Sequence, residues 1–155
     1  MLLKPSHGWT VVKIGNQIIG SASYLDDIPM DLLDTFLSYF HQENKYLPFS
    51  FLFDTEGYHF GILEFNDSLY TVSTDTNSEE LMMKPINPVN LNLDWFSHSN
   101  EVLKVLAKEV ISDIQNYISD WVYWLDSEEE LSKENAEIRK YNLLQKCEEL
   151  SLLVK

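Results

Sequence analysis

The side chains most able to do chemistry in this chain are carboxylates. Asp26, Asp27, Asp31 and Asp34 fall within nine residues, and no Lys or Arg stands among them. At about 100° per residue, Asp27, Asp31 and Asp34 share a narrow arc of one helix. Like charges one turn apart repel by a few tenths of a kcal/mol per pair, so an unrelieved acidic stripe reads either as a solvated helix face or as a recognition face for Lys and Arg. Asp75, Glu79 and Glu80 form a second candidate in a loop, and these seven residues are the expected partner-binding set. Glu128, Glu129, Glu130, Glu134 and Glu137 form a third acidic group, but helix capping and the helix dipole account for much of it. Glu56 and Glu64 flank one strand. General acid–base work needs two carboxyls across a cleft with separated pKa values, and turn and strand-edge acids are the plainer reading of this pair.

Other chemistries fail on residue type and spacing. Gly20-Ser21-Ala22-Ser23 lacks the second glycine of a nucleophile elbow and opens no helix. His7, His41, His59 and His98 are scattered, none at metal-binding helical spacing with another, and no cysteine pair exists. No loop carries a calcium-hand pattern, and the five glycines form no phosphate cradle. Neither a catalytic residue, a cofactor nor a metal is therefore expected. Cys147 is the single cysteine and falls at an apolar position, as a buried thiol would.

Composition bounds the rest. A chain of 155 residues is one domain's worth and buries about 70% of its unfolded surface. Apolar residues make up 45% of it, with four Trp, eight Tyr and eight Phe, which excludes disorder. The net charge is −14, from 25 acids and 11 bases. That balance excludes ordinary nucleic-acid binding and argues against anionic membranes. Residues 1–100 carry 13 acids against 4 bases, residues 101–155 carry 12 against 7, so the first part is nearly base-free. One cysteine, no signal-like apolar start and no run of about 18 apolar residues predict a cytoplasmic protein.

The elements that must position these side chains follow from periodicity. Strands are predicted over 9–14 and 17–25, joined by Gly15-Asn16 as a hairpin. A helix over about 29–41, opened by Asp27 as cap and Pro29, sets Leu32, Leu33, Phe36, Leu37 and Phe40 opposite the acids. Three strands follow over 48–54, 58–65 and 68–74, with Phe49, Phe51 and Phe53 on one face. The stretch 75–93 reads as irregular, with a short extra strand near 81–86. A long helix is predicted from a cap at Asn100 to about Leu125, with Leu103, Leu106, Val110, Ile114, Tyr117 and Trp121 as its stripe. Ser127 and Glu130 fit a capping box for a last helix to about Leu153, with Ile138, Tyr141, Leu144 and Leu150 as its packing residues. The order ββ-α-βββ-α-α predicts an α+β fold: one antiparallel sheet of five or six strands with helices on one face. Residues 1–125 would form the α+β body and 126–155 a helix packed on it or extending from it, one domain in all.

Gly8-Trp9-Thr10-Val11-Val12 with Gly15-Asn16, Ala22-Ser23-Tyr24-Leu25-Asp26-Asp27, Asp31-Leu32-Leu33 and the acidic turn Phe53-Asp54-Thr55-Glu56-Gly57 resemble small bacterial immunity-like proteins found beside polymorphic toxins. Tyr117 and Trp121 are loosely similar to that family's final helix. The resemblance implies a non-enzymatic α+β protein that masks a toxin domain, such as a basic nuclease, by steric and electrostatic occlusion. The rival readings are an acidic nucleic-acid mimic that inhibits a DNA- or RNA-binding enzyme, a small enzyme with an unfamiliar pocket, and a structural protein.

Overall fold

The computed structural model describes residues 1–42, 47–74 and 80–155. Its strands are β1 (Trp9–Ile14), β2 (Gln17–Ser23), β3 (Ser50–Asp54), β4 (His59–Phe65), β5 (Ser68–Thr74) and β6 (Leu81–Pro85); its helices are α1 (Ile28–Phe40), α2 (Ser99–Asn116), α3 (Ile118–Val122) and α4 (Lys133–Leu153). The α+β class is as expected, but the single sheet is not. β1 and β2 form a sheet of two strands, and β3-β4-β5-β6 form a separate antiparallel sheet of four.

The division has a local cause. Gly15 takes φ +56 and turns the chain tightly between β1 and β2. The register of the pair then shifts between Val12 and Lys13, an irregularity that increases local twist. Instead of pairing at an edge, β2 crosses the four-stranded sheet face to face. Gly20 permits this: a Cβ there would stand 2.5 Å from the Phe60 ring. The chain start adds to the hairpin, with the Leu3 amide donating to Val11 O and the Lys13 amide to Met1 O.

Strand alternation sorts the four-stranded sheet into two faces. Phe51, Phe53, Phe60 and Ile62 point inward and are buried. α1 closes the same side, with the Phe36 and Phe49 rings 4.8 Å apart. Asn66 (φ +48) and Asp67 (φ +58) form the tight turn between β4 and β5, in the conformation that suits the twist of a hairpin.

Three helical expectations change. The helix after residue 98 begins with His98 as its cap, not Asn100. It breaks at Tyr117 (φ −118°, ψ 29°), beyond Asn116, and the short α3 then turns Trp121 into the core, fully buried. Asn and Tyr are weak helix formers, so little holds the helix straight there. Ser127 and Glu130 do bond to each other, the Ser127 amide donating to Glu130 Oε2 at 3.2 Å, but they close a turn. The last helix starts later, where Ser132 Oγ accepts from the Asn135 amide at 3.2 Å. α4 packs against α1, α2 and α3. It does so through Ala136, Leu143, Cys147 and Leu150, whereas Ile138 and Tyr141 are exposed. No described helix is long and apolar enough to cross a membrane.

Candidate interaction surface

The acidic stripe of α1 is not a bare face. Asp27 does not cap the helix with its side chain. Its two carboxylate oxygens accept from Arg139 Nη1 and Nη2 of α4, both at 2.7 Å. Asp34 pairs with Lys146, also of α4. His41 Nε2 lies 2.8 Å from Glu149 Oε1. Asp27, Asp34 and His41 recur every seven residues, as do Arg139 and Lys146, so each set lines one side of its helix. The pairs ascend together, so α1 and α4 run side by side in the same direction. The bases absent from the stripe are supplied from 112 residues away.

The Asp27–Arg139 pair is the strongest of these. The fork of a guanidinium matches a carboxylate in two parallel bonds, and the two side chains are 23% and 15% exposed. The Trp124 indole adds to the seam by donating to Asp26 O at 2.8 Å. Asp31 is the member left open to solvent. Its carboxyl is raised above the usual range, first by partial burial and then by Asp27, Asp26 and Asp34 around it. Asp31 and Asp34 line one rim of an open cavity of about 430 Å³ whose other wall includes Tyr39, Pro48 and Phe49. Asp75 and Glu79 lie outside the described residues, and Glu80 is exposed just before β6.

Two clusters escape the sequence reading. The first joins sheet to helix. Glu64 Oε2 accepts from the Phe49 amide at 2.9 Å, and Glu64 Oε1 accepts from Tyr39 Oη at 3.2 Å. Ser99 Oγ, buried, donates within this group and reaches both Glu64 and Asp67 Oδ1, the latter at 2.9 Å. His98 Nδ1 pairs with Asp67 Oδ2. Ser, His and Asp are thus adjacent, yet the serine faces the carboxylates instead of a histidine nitrogen. The base-to-nucleophile bond of a catalytic triad is therefore not formed by this arrangement. What the cluster does is pin the start of α2 to the β4–β5 turn. Burial, then Glu64, pushes the Tyr39 phenol up to about 12. The hydrogen bond to His98 lowers Asp67 and raises His98.

The second is apolar. The outward face of the four-stranded sheet carries Leu52, Leu63, Phe65, Tyr70, Val72, Leu81 and Met83, by strict alternation from the buried residues. Leu52, Phe65, Leu81 and Met83 are 41–57% exposed. Val72 is buried, yet it lies outside the main core cluster, so its neighbours on this outer face shelter it. Leu52 leans over Gly61, where a Cβ would meet its Cδ2 at 2.9 Å. Beyond Tyr70 and Pro85 the face runs into a cavity of about 270 Å³ beside Trp95, itself 63% exposed. The sequence signal for this surface was slight: Leu81-Met82-Met83 is an apolar run without alternation, followed by Lys84 and Pro85.

Cys147 is buried, and burial pushes its thiol up to about 12, which suits a core residue. Among the described residues no three His, Cys, Asp or Glu side chains gather as metal ligands. No family model, curated protein or solved structure matches the chain.

Proposed function

We propose that this protein binds and masks a basic partner domain, in the manner of toxin immunity. The observation that carries the reading is the placement of an open apolar sheet face within the most base-poor part of the chain. Residues 47–98, which contain all four strands of that sheet, hold eight acids and one base, Lys84. An apolar centre of this kind holds a partner once water is excluded, and acids around it raise the association rate and select positive surfaces. The reading asks for no chemistry from the chain, only occlusion. The resemblance of residues 8–65 to immunity-like proteins supports it and points to a toxin domain as the class of partner. The α1 stripe drops out of this reading, because Asp27 and Asp34 are already engaged by Arg139 and Lys146.

The test is co-expression with the product of the adjacent reading frame in a bacterial host. Restored growth and a stoichiometric complex, with an association rate that falls as salt rises, are the expected results. A toxic product that neither binds this chain nor is neutralised by it contradicts the reading.

A further inference from the structure

β6 is an edge strand, and half of its backbone polar groups face outward. The Ile86 amide donates to Leu69 O at 2.8 Å, which fixes the alternation of the β5–β6 ladder. Met82 and Lys84 therefore turn their amides and carbonyls toward β5, and Leu81 and Met83 turn theirs away. Among the described residues, none accepts a hydrogen bond from the Leu81 or Met83 amide. All five residues of the strand are exposed. Protein edges of this kind are usually blocked by a bulge, a covering loop or an inward charge. Among the described residues only the far end is closed, by Pro85, which has no amide hydrogen to offer.

The side chains beside this edge define what would pair with it. Leu81 and Met83 stand on the outer face, Met83 in a row that continues through Val72 and Gly61 to Leu52, and Leu81 in one that continues through Thr74 and His59 to Asp54 of β3. Asp54 and His59 share that face at the Leu81 end, while Lys84 projects to the other face. Glu80 precedes the strand, and Asp67 lies at the turn near the opposite end. The cavity beside Trp95 opens where β6 finishes, with Tyr70 and Pro85 on one wall and Ser97 and Ser99 on another. An apolar stem could lie along Trp95 there while its cationic head approaches the serine hydroxyls and the carboxylate of Asp67 behind Ser99. A second copy of this chain is a poor occupant, since two bodies of net charge −14 would meet at an acidic rim.

We propose that the free edge of β6, with the apolar face beside it and the Trp95 cavity at its end, receives an extended basic segment of a partner protein as a fifth strand of the sheet. The inference rests on the masking function and names the place and mode of contact. Backbone bonds to Leu81 and Met83 supply affinity, and alternate apolar side chains on the outer face fix the register.

A capped seven-residue peptide of alternating Val and Lys is the probe, titrated into the whole chain. Saturable binding is expected, with slowed hydrogen exchange at the Leu81 and Met83 amides. A peptide of the same composition with its Val and Lys in two blocks should bind about tenfold more weakly, since it cannot place apolar groups alternately. Met83→Pro should weaken the alternating peptide by about tenfold as well, because it removes an outward amide that β5 does not use. Leu81→Lys gives a second variant that removes an apolar contact from the outer face, adds a positive charge to the edge and is well tolerated there. Equal binding of the two peptides, or protection confined to other strands, overturns the proposal. So does a peptide-free dimer that Met83→Pro dissolves, since the occupant would then be a second copy. A complex with the adjacent frame's product that survives Met83→Pro and Leu81→Lys refutes this edge and leaves the masking function standing. Absence of that complex refutes masking, while the peptide titration still decides the edge.

Discussion

Asp27 and Arg139 illustrate how one contact can change the meaning of a charged residue. Read along the sequence, Asp27 is a cap and a member of an unrelieved acidic stripe. Its carboxylate is instead committed to a two-pronged bond with a guanidinium that is 15% exposed. Removing one partner of such a pair leaves the other charge poorly solvated, which costs more than the pair contributes. Arg139→Ala should therefore lower stability by about 2–3 kcal/mol in urea unfolding. Lys146→Ala, at a more open pair, should cost under about 1 kcal/mol. Equal losses from both would mean that burial does not set the difference. The seam left a legible trace: Asp27, Asp34 and His41 are seven apart, and so are Arg139 and Lys146. The match between the two sets shows only when both helices are considered together.

His98 and Asp67 give a pH dependence at the same scale. Asp67 raises His98 above its ordinary 6.5, so this pair's contribution is complete below 6.5 and is lost as pH rises through the folded value. His98 lowers Asp67 below its ordinary 3.8, so the contribution is present above 3.8 and is lost as pH falls through the folded value. The contact thus favours folding most between those two values. The melting temperature of the native chain should fall between pH 6 and 8 by more than that of Asp67→Asn. Asparagine still accepts from the Ser99 amide as a cap but no longer holds a proton on His98. Parallel pH profiles of the two chains would remove this contact from the account.

At the scale of elements, the hairpin of β1 and β2 is the part whose placement the sequence concealed. Strand period and the Gly15-Asn16 turn specify both strands to within two residues. Whether such a hairpin pairs at an edge or lies across a face depends on tertiary packing, and alternation is the same in both cases. Gly20 was the clue, since a strand glycine marks a close approach. Gly20→Ala should cost about 1–3 kcal/mol, because three atoms of the buried Phe60 ring lie 2.5–2.7 Å from the new methyl group. Gly57→Ala is the control, with nothing nearer than 4.0 Å, and should change stability by less than about 0.5 kcal/mol. A Gly20→Ala variant as stable as that control would place the hairpin elsewhere. Helix ends are ambiguous in the sequence for a similar reason. Ser127 and Ser132 are both competent caps, and a local pattern cannot rank them. Once α4 starts at Lys133, Ala136, Leu143, Cys147 and Leu150 follow as its buried residues.

At the scale of the whole molecule, net charge separates into several parts. Some acids sit at helix starts, and some pair with distant bases across the α1–α4 seam. Others meet the chain start, where Glu109 and Asp113 hold the Met1 amino group, and Asp54, Glu64 and Asp67 belong to the four-stranded sheet, which has one covered face and one open face. The sequence made the α+β class legible because hydrophobic period changes from two to about 3.6 along the chain. The open face was hidden for a physical reason. Leu52, Leu63 and Val72 look like core residues of strands buried on both faces, and only the register shows that they share the face turned away from Phe51, Phe53, Phe60 and Ile62. The candidate site therefore moves from Asp26, Asp27, Asp31 and Asp34 to Leu81 and Met83 and the face beside them. Hydrogen exchange of this chain alone and in complex with the adjacent frame's product tests that move most directly. The account predicts slowed exchange at the Leu81 and Met83 amides, with residues 26–34 unchanged. Protection centred on residues 26–34, with β6 unaltered, would contradict it.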